Sequence, residues 1–63
     1  VSLFDYQESS DIVSDHYSFN AVIMAAFRLA DMTNAEKLIS AFPDICAELQ
    51  ERCDSPDGKL KGE

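Results

Sequence analysis

Between Asp15 and Ala30 the apolar positions Phe19, Val22, Ile23, Ala26, Phe27 and Ala30 fall at i, i+3, i+4, i+7, i+8 intervals. That period predicts a helix with one wide apolar face. Ser14 and Asp15 are candidate N-caps for it. The opposite side of the cylinder carries Ala21, Met24 and Ala25, so Asn20 and Arg28 are nearly its only polar residues. A helix apolar most of the way round is a buried helix. One face is therefore expected to pack within the subunit, and the other against a second copy.

A second helix is predicted from Thr33, where Thr33 and Glu36 match a capping box in which each side chain takes up a free backbone N–H of the other residue. Ala35, Leu38, Phe42, Ile45, Leu49 and Arg52 repeat at three-four spacing, with Cys46 and Cys53 beside them. Lys37, Ser40, Asp44, Glu48 and Glu51 hold the polar side, and Glu48 and Arg52 stand in the favourable i, i+4 order. Pro43 interrupts this pattern, because it lacks the N–H for the Ile39 carbonyl and crowds the preceding turn. The expectation is a kink at Pro43, or a restart with Pro43 in the first helical position and Asp44 at the positive end.

Ahead of these helices, Leu3, Phe4 and Tyr6 form a short apolar run that predicts a strand paired with its own copy across a two-fold axis. The polar stretch from Gln7 to Asp15 is expected to link it to the first helix. The expected architecture is thus mainly α: a two-helix subunit, its second helix kinked at Pro43, with one short N-terminal strand, in an intertwined homodimer. Residues 1–55 would form a single helical dimerisation domain, and Pro56 with Asp57-Gly58 would turn the chain into a flexible charged tail over residues 56–63.

Size strengthens the case for a dimer. A chain of 63 residues buries only about 60% of the surface its unfolded form exposes, so it benefits from a staple. At 46% hydrophobic residues it is too apolar to be a disordered acidic chain. Cys46 and Cys53 on one helix would stand about 10 Å apart, beyond the reach of a disulfide. With His16 they do not supply a zinc pattern either. Oligomerisation is the staple that is left. No secretory leader pattern and no run of about 18 apolar residues is visible, so a reducing cytoplasm is the expected location.

Twelve acids against five bases give a net charge of −7. That balance argues against phosphate-seeking chemistry, and so against direct nucleic-acid binding and against an anionic membrane surface. It leaves open an acidic inhibitor, a nucleic-acid mimic occupying a basic site on a host protein. Catalytic candidates are weak. Ser14, Asp15 and His16 are chain neighbours, which rarely converge as nucleophile, base and orienter. Asp44, Glu48 and Glu51 read as a solvated helix face. The second helix presents acids where a recognition helix needs donors to base edges. No catalytic, metal or cofactor site is expected. Phe4, Phe19, Phe27 and Phe42 read as core, and an apolar groove between helices is expected to receive a partner's amphipathic helix.

The run "SLFDYQESSDIVSDHYSFNAVIMAAFRLADMTNAEKL", together with the chain length, resembles the very small early proteins encoded between the exonuclease and excisionase genes of lambdoid temperate phages. The second half, "NAEKLISAFPDICAELQERCDSPDG", is similar to a segment found in enteric prophage proteins, with Phe42-Pro43 and Arg52 at its fixed places and a departure at Cys53, where an aromatic is common. The resemblance implies an early phage protein that shifts the lysis–lysogeny choice toward lytic growth. It also implies a small helical homodimer without enzymatic activity. Taken together, the expected dimer and core residues are Leu3, Phe4, Phe19, Val22, Ile23, Ala26, Phe27, Leu38, Phe42, Ile45 and Leu49. Met24 and Leu29 are the expected border of a cleft for a host or phage partner.

Overall fold

A computed structural model describes residues 1–60 and 62. Four helices follow one another along the chain: α1 Leu3–Ser14, α2 Phe19–Leu29, α3 Met32–Ala41 and α4 Pro43–Cys53. The described residues contain no strand, so the fold is mainly helical but is not the two-helix subunit expected from the sequence.

The first correction concerns the N-terminus, where the expected strand and linker are both part of α1. Ser2 is extended, with φ −108° and ψ 168°, and its Oγ accepts the Asp5 N–H at 3.1 Å. The Asp5 carboxylate in turn accepts the Ser2 N–H at 3.1 Å. This reciprocal cap satisfies two of the free donors at a helix start. A lone strand would leave its backbone groups unpaired, whereas a helix pairs its own.

At the end of α1 the Asp15 N–H donates to the Asp11 and Ile12 carbonyls at 3.2 Å, and the His16 N–H to Val13 at 3.1 Å. His16 then turns the chain through the left-handed region at φ 61°. An L-residue pays a steric cost there that glycine does not. His16→Gly is expected to stabilise the fold by about 0.5–1 kcal/mol, read as a higher urea midpoint with an unchanged slope.

Because Ser14 and Asp15 close α1, they cannot open α2. Ser18 does so, its Oγ accepting the Ala21 N–H at 3.1 Å. The expected first helix over Asp15–Ala30 is therefore shorter, running from Phe19 to Leu29. Ala30 and Asp31 are both extended, and the Asp31 carboxylate caps α3 by accepting the Asn34 N–H at 2.8 Å. Thr33 consequently lies inside the first turn of α3, and the expected Thr33–Glu36 capping box is not the helix start.

At Pro43 the chain restarts, and two helices replace the single kinked one. Proline disfavours the α conformation in the residue before it. Phe42 sits accordingly at φ −133° and ψ 61°, ending α3 and beginning α4 at once. Its N–H still donates to Leu38 at 2.7 Å, and its carbonyl accepts from Cys46 at 3.1 Å.

Helices α2, α3 and α4 pack on one another. Their shared centre is the inner face of α4, where Cys46 is 5% and Leu49 4% exposed, the buried residues of this small core. Ile23, Met24, Ala26, Phe27 and Ala30 of the α2 segment, Ala35 and Leu38 of α3, and Phe42 and Ile45 surround it half-buried. The Phe19 and Phe42 rings meet edge to face, centroids 5.7 Å apart. Beyond α4, Arg52 Nη1 donates to the Gly58 carbonyl at 2.8 Å, and Ser55 Oγ donates to the Lys59 carbonyl at 2.8 Å. The segment expected as a tail is thus tied back at Gly58 and Lys59, while Lys61 and Glu63 of that expected tail lie outside the described residues.

Helix α1 stands apart: none of its Cα atoms comes within 8 Å of a Cα in another helix. The molecule measures 41 × 27 × 18 Å, with a radius of gyration of 13.4 Å. A compact chain of this length would have about 11 Å. Its accessible surface is 5313 Å², against about 4,000 Å² for a folded monomer of 7.0 kDa.

Candidate interaction surface

An apolar side of α2 stays open in the single chain. Ala21, Val22, Ala25 and Leu29 form a wall there, and Ile12 and Tyr17 stand opposite. Between them runs an open cleft of about 480 Å³ whose lining is almost wholly apolar. Toward the N-terminus it continues over Ser9, Val13 and Phe19. In the other direction Leu29 joins it to a shallow surface formed by Ala30, Asn34, Lys37 and Leu38.

Charge is distributed unevenly around this groove. Helix α1 and its cap hold Asp5, Glu8, Asp11 and Asp15, and no Lys or Arg. Glu8 and Asp15 lie at i−4 and i+3 from Ile12 and so share its side of the helix. Across the groove, α2 and α3 contribute Arg28 and Lys37, neither of which makes an ion pair among the described residues. On α4, Arg52 Nε pairs with Glu48 Oε2 at 3.4 Å, part-exposed and worth only a few tenths of a kcal/mol.

The expected interface residues divide into three groups. Leu49 is core, and Ile23, Ala26, Phe27, Leu38, Phe42 and Ile45 are half-buried around it. Leu3, Phe4 and Phe19 are exposed in the single chain, at 72%, 65% and 63%. Val22 lies on the groove wall. Of the two expected cleft residues, Leu29 is 88% exposed and borders the groove, whereas Met24 is half-buried and does not line it. Sequence reasoning passed over Ile12 and Tyr17, whose signal was the reciprocal Ser2–Asp5 spacing that marks α1 as a helix.

The Ser14, Asp15, His16 neighbours are occupied structurally. Ser14 Oγ donates to the Ser10 carbonyl at 3.0 Å, and Asp15 and His16 terminate the helix. Among the described residues no group of three His, Cys, Asp or Glu side chains converges to hold a metal ion. Both cysteines are free thiols, Cys46 buried and Cys53 exposed. No described helix is long and apolar enough to cross a membrane. Comparison with known protein families, curated proteins and solved structures finds no match to this chain.

Proposed function

We propose that this chain is an early regulatory protein of a temperate phage, a non-enzymatic homodimer that favours lytic over lysogenic development by protein contact in the host cytoplasm. The observation that carries the contact mechanism is the apolar groove beside α2, left open in a single chain together with Leu3, Phe4 and Tyr6. Exposed apolar surface of this kind supports a role in association. The phage role rests on the sequence resemblance set out above. An amphipathic helix of a host or phage regulator is the kind of partner such a dimer would capture, on apolar surface that its own assembly leaves uncovered.

Removing the protein from an infecting phage is expected to raise the fraction of infected cells that become lysogens several-fold. Leu29→Ser should reproduce that rise, since Leu29 is exposed and its loss leaves the core intact. Charge reversal at the exposed Asp44 and Glu51 of α4 should leave the fraction unchanged. The opposite pattern, in which the acid reversals abolish activity and Leu29→Ser does not, would replace this reading with the acidic inhibitor of a basic host site. Partner capture repeated at two salt concentrations separates the same alternatives, because capture through charge weakens with salt and capture through an apolar groove does not.

A further inference from the structure

We propose that α1 is an exchanged arm: the N-terminal half of α1 from one copy fills the groove along α2 of the other, and the reverse. This rests on the homodimer reading and names the element that makes it.

Helix α1 has too little in its own subunit to hold it. Isolated helices of about 12–15 residues are marginal in water even when rich in alanine. Helix α1 has 12 residues, and its sequence LFDYQESSDIVS contains no alanine, three serines and a β-branched pair. Two of those serines bond back to their own turn, Ser9 Oγ to the Tyr6 carbonyl and Ser14 Oγ to that of Ser10, an arrangement that competes with regular helix. Leu3, Phe4 and Tyr6 are between 63% and 72% exposed, and no Cα of another helix comes within 8 Å of a Cα of α1. A covering surface is required for this helix to persist.

Area says how large that surface is. The exposed 5313 Å² exceeds the expectation for a folded chain of this mass by roughly 1,300 Å². Two copies covering that excess would bury roughly 2,600 Å², inside the range of about 2,000–5,000 Å² for obligate homodimers. A short peptide or a small molecule would leave most of it open.

Charge selects the same occupant. Helix α1 is acidic without a base, whereas the surface beyond Leu29 offers Lys37, and the exposed Arg28 adjoins Leu29 on α2. Docking α1 of a second copy there sets acids beside bases. The chain's own α1 is poorly placed for the task. Ile12 and Tyr17 already form the near wall, and Leu3 lies nine residues further along the helix, about 13 Å away.

The test compares the native protein with Leu3→Asp/Tyr6→Asp and with Leu29→Asp, all exposed positions whose change leaves the α2–α4 core intact. Light scattering should give twice the chain mass for the native protein and the single-chain mass for both variants. Dissociation should be easier by about a hundredfold or more, as expected when a central apolar anchor becomes a carboxylate. In a native sample mixed from two isotope labels, contacts between Leu3 or Tyr6 and Ala25 or Leu29 should appear between copies. A native monomer would overturn the dimer and this proposal together. A dimer that persists in Leu3→Asp/Tyr6→Asp, or α1–α2 contacts seen only within a copy, would overturn the exchanged arm and leave the dimer standing.

Discussion

Leu49→Ala is expected to leave the chain largely unfolded at ambient temperature. Leu49 is 4% exposed at the centre of α4, with Cys46, 5% exposed, as its buried neighbour a turn away. Truncating such a leucine removes the transfer free energy of its methyl groups and leaves a cavity, about 2–5 kcal/mol in all. A core this small supplies only about 3–5 kcal/mol of net stability, so the loss is comparable with the whole. Circular dichroism during a urea titration should show most of the transition already complete without denaturant. Leu49→Met, which keeps the volume, should cost less than about 1.5 kcal/mol. Leu29→Ala, at 88% exposure, should move the single chain's stability by no more than about 0.5 kcal/mol. Equal effects for Leu49→Ala and Leu29→Ala would mean that α4 does not hold the centre.

Phe42→Ala should be the next most damaging change, at about 2–3 kcal/mol, below the usual range for a buried phenylalanine because Phe42 is only half-buried. Two losses combine there. The ring covers the junction of α3 and α4, and it also meets Phe19 edge to face at 5.7 Å. The ring pair alone is worth about 0.5–1.5 kcal/mol, which a double-mutant cycle with Phe19→Ala would isolate. Phe19 is largely exposed, so its own truncation should cost little more than the coupling. A coupling near zero would show that the two rings contribute independently.

Both predictions concern residues whose importance was legible in the sequence. The three-four spacing through Phe42, Ile45 and Leu49 marks the inner face of α4, and the same period in α2 marks the face carrying Ile23 and Phe27. Pro43 was legible as an interruption. Whether such a break bends a helix or divides it depends on how the flanking turns pack, and here Phe42 leaves helical geometry to put its ring against Phe19. The N-terminal third was misread for a different reason. Leu3, Phe4 and Tyr6 fit a short strand as well as a helix, and apolar periodicity cannot separate the two over so few residues. The deciding evidence was polar: the Ser2 and Asp5 side chains close on each other's backbone. Similarly, Ser14, Asp15 and Ser18 are all good caps, and only the end of α1 at Asp15 decides which of them opens α2.

The two thiols make α4 a built-in gauge of how often the core opens. Cys46 and Cys53 lie on one helix, the first 5% exposed and the second in contact with solvent. A thiol reagent in excess can meet Cys53 at its intrinsic rate, but meets Cys46 only when the inner face of α4 is released from α2 and α3. The ratio of the two modification rates in the unaltered protein therefore reads the opening equilibrium directly, with Cys53 as the internal reference. Because the readout needs no added label, it can follow the opening of the core as protein concentration falls, and so report whether assembly and the integrity of the core are linked.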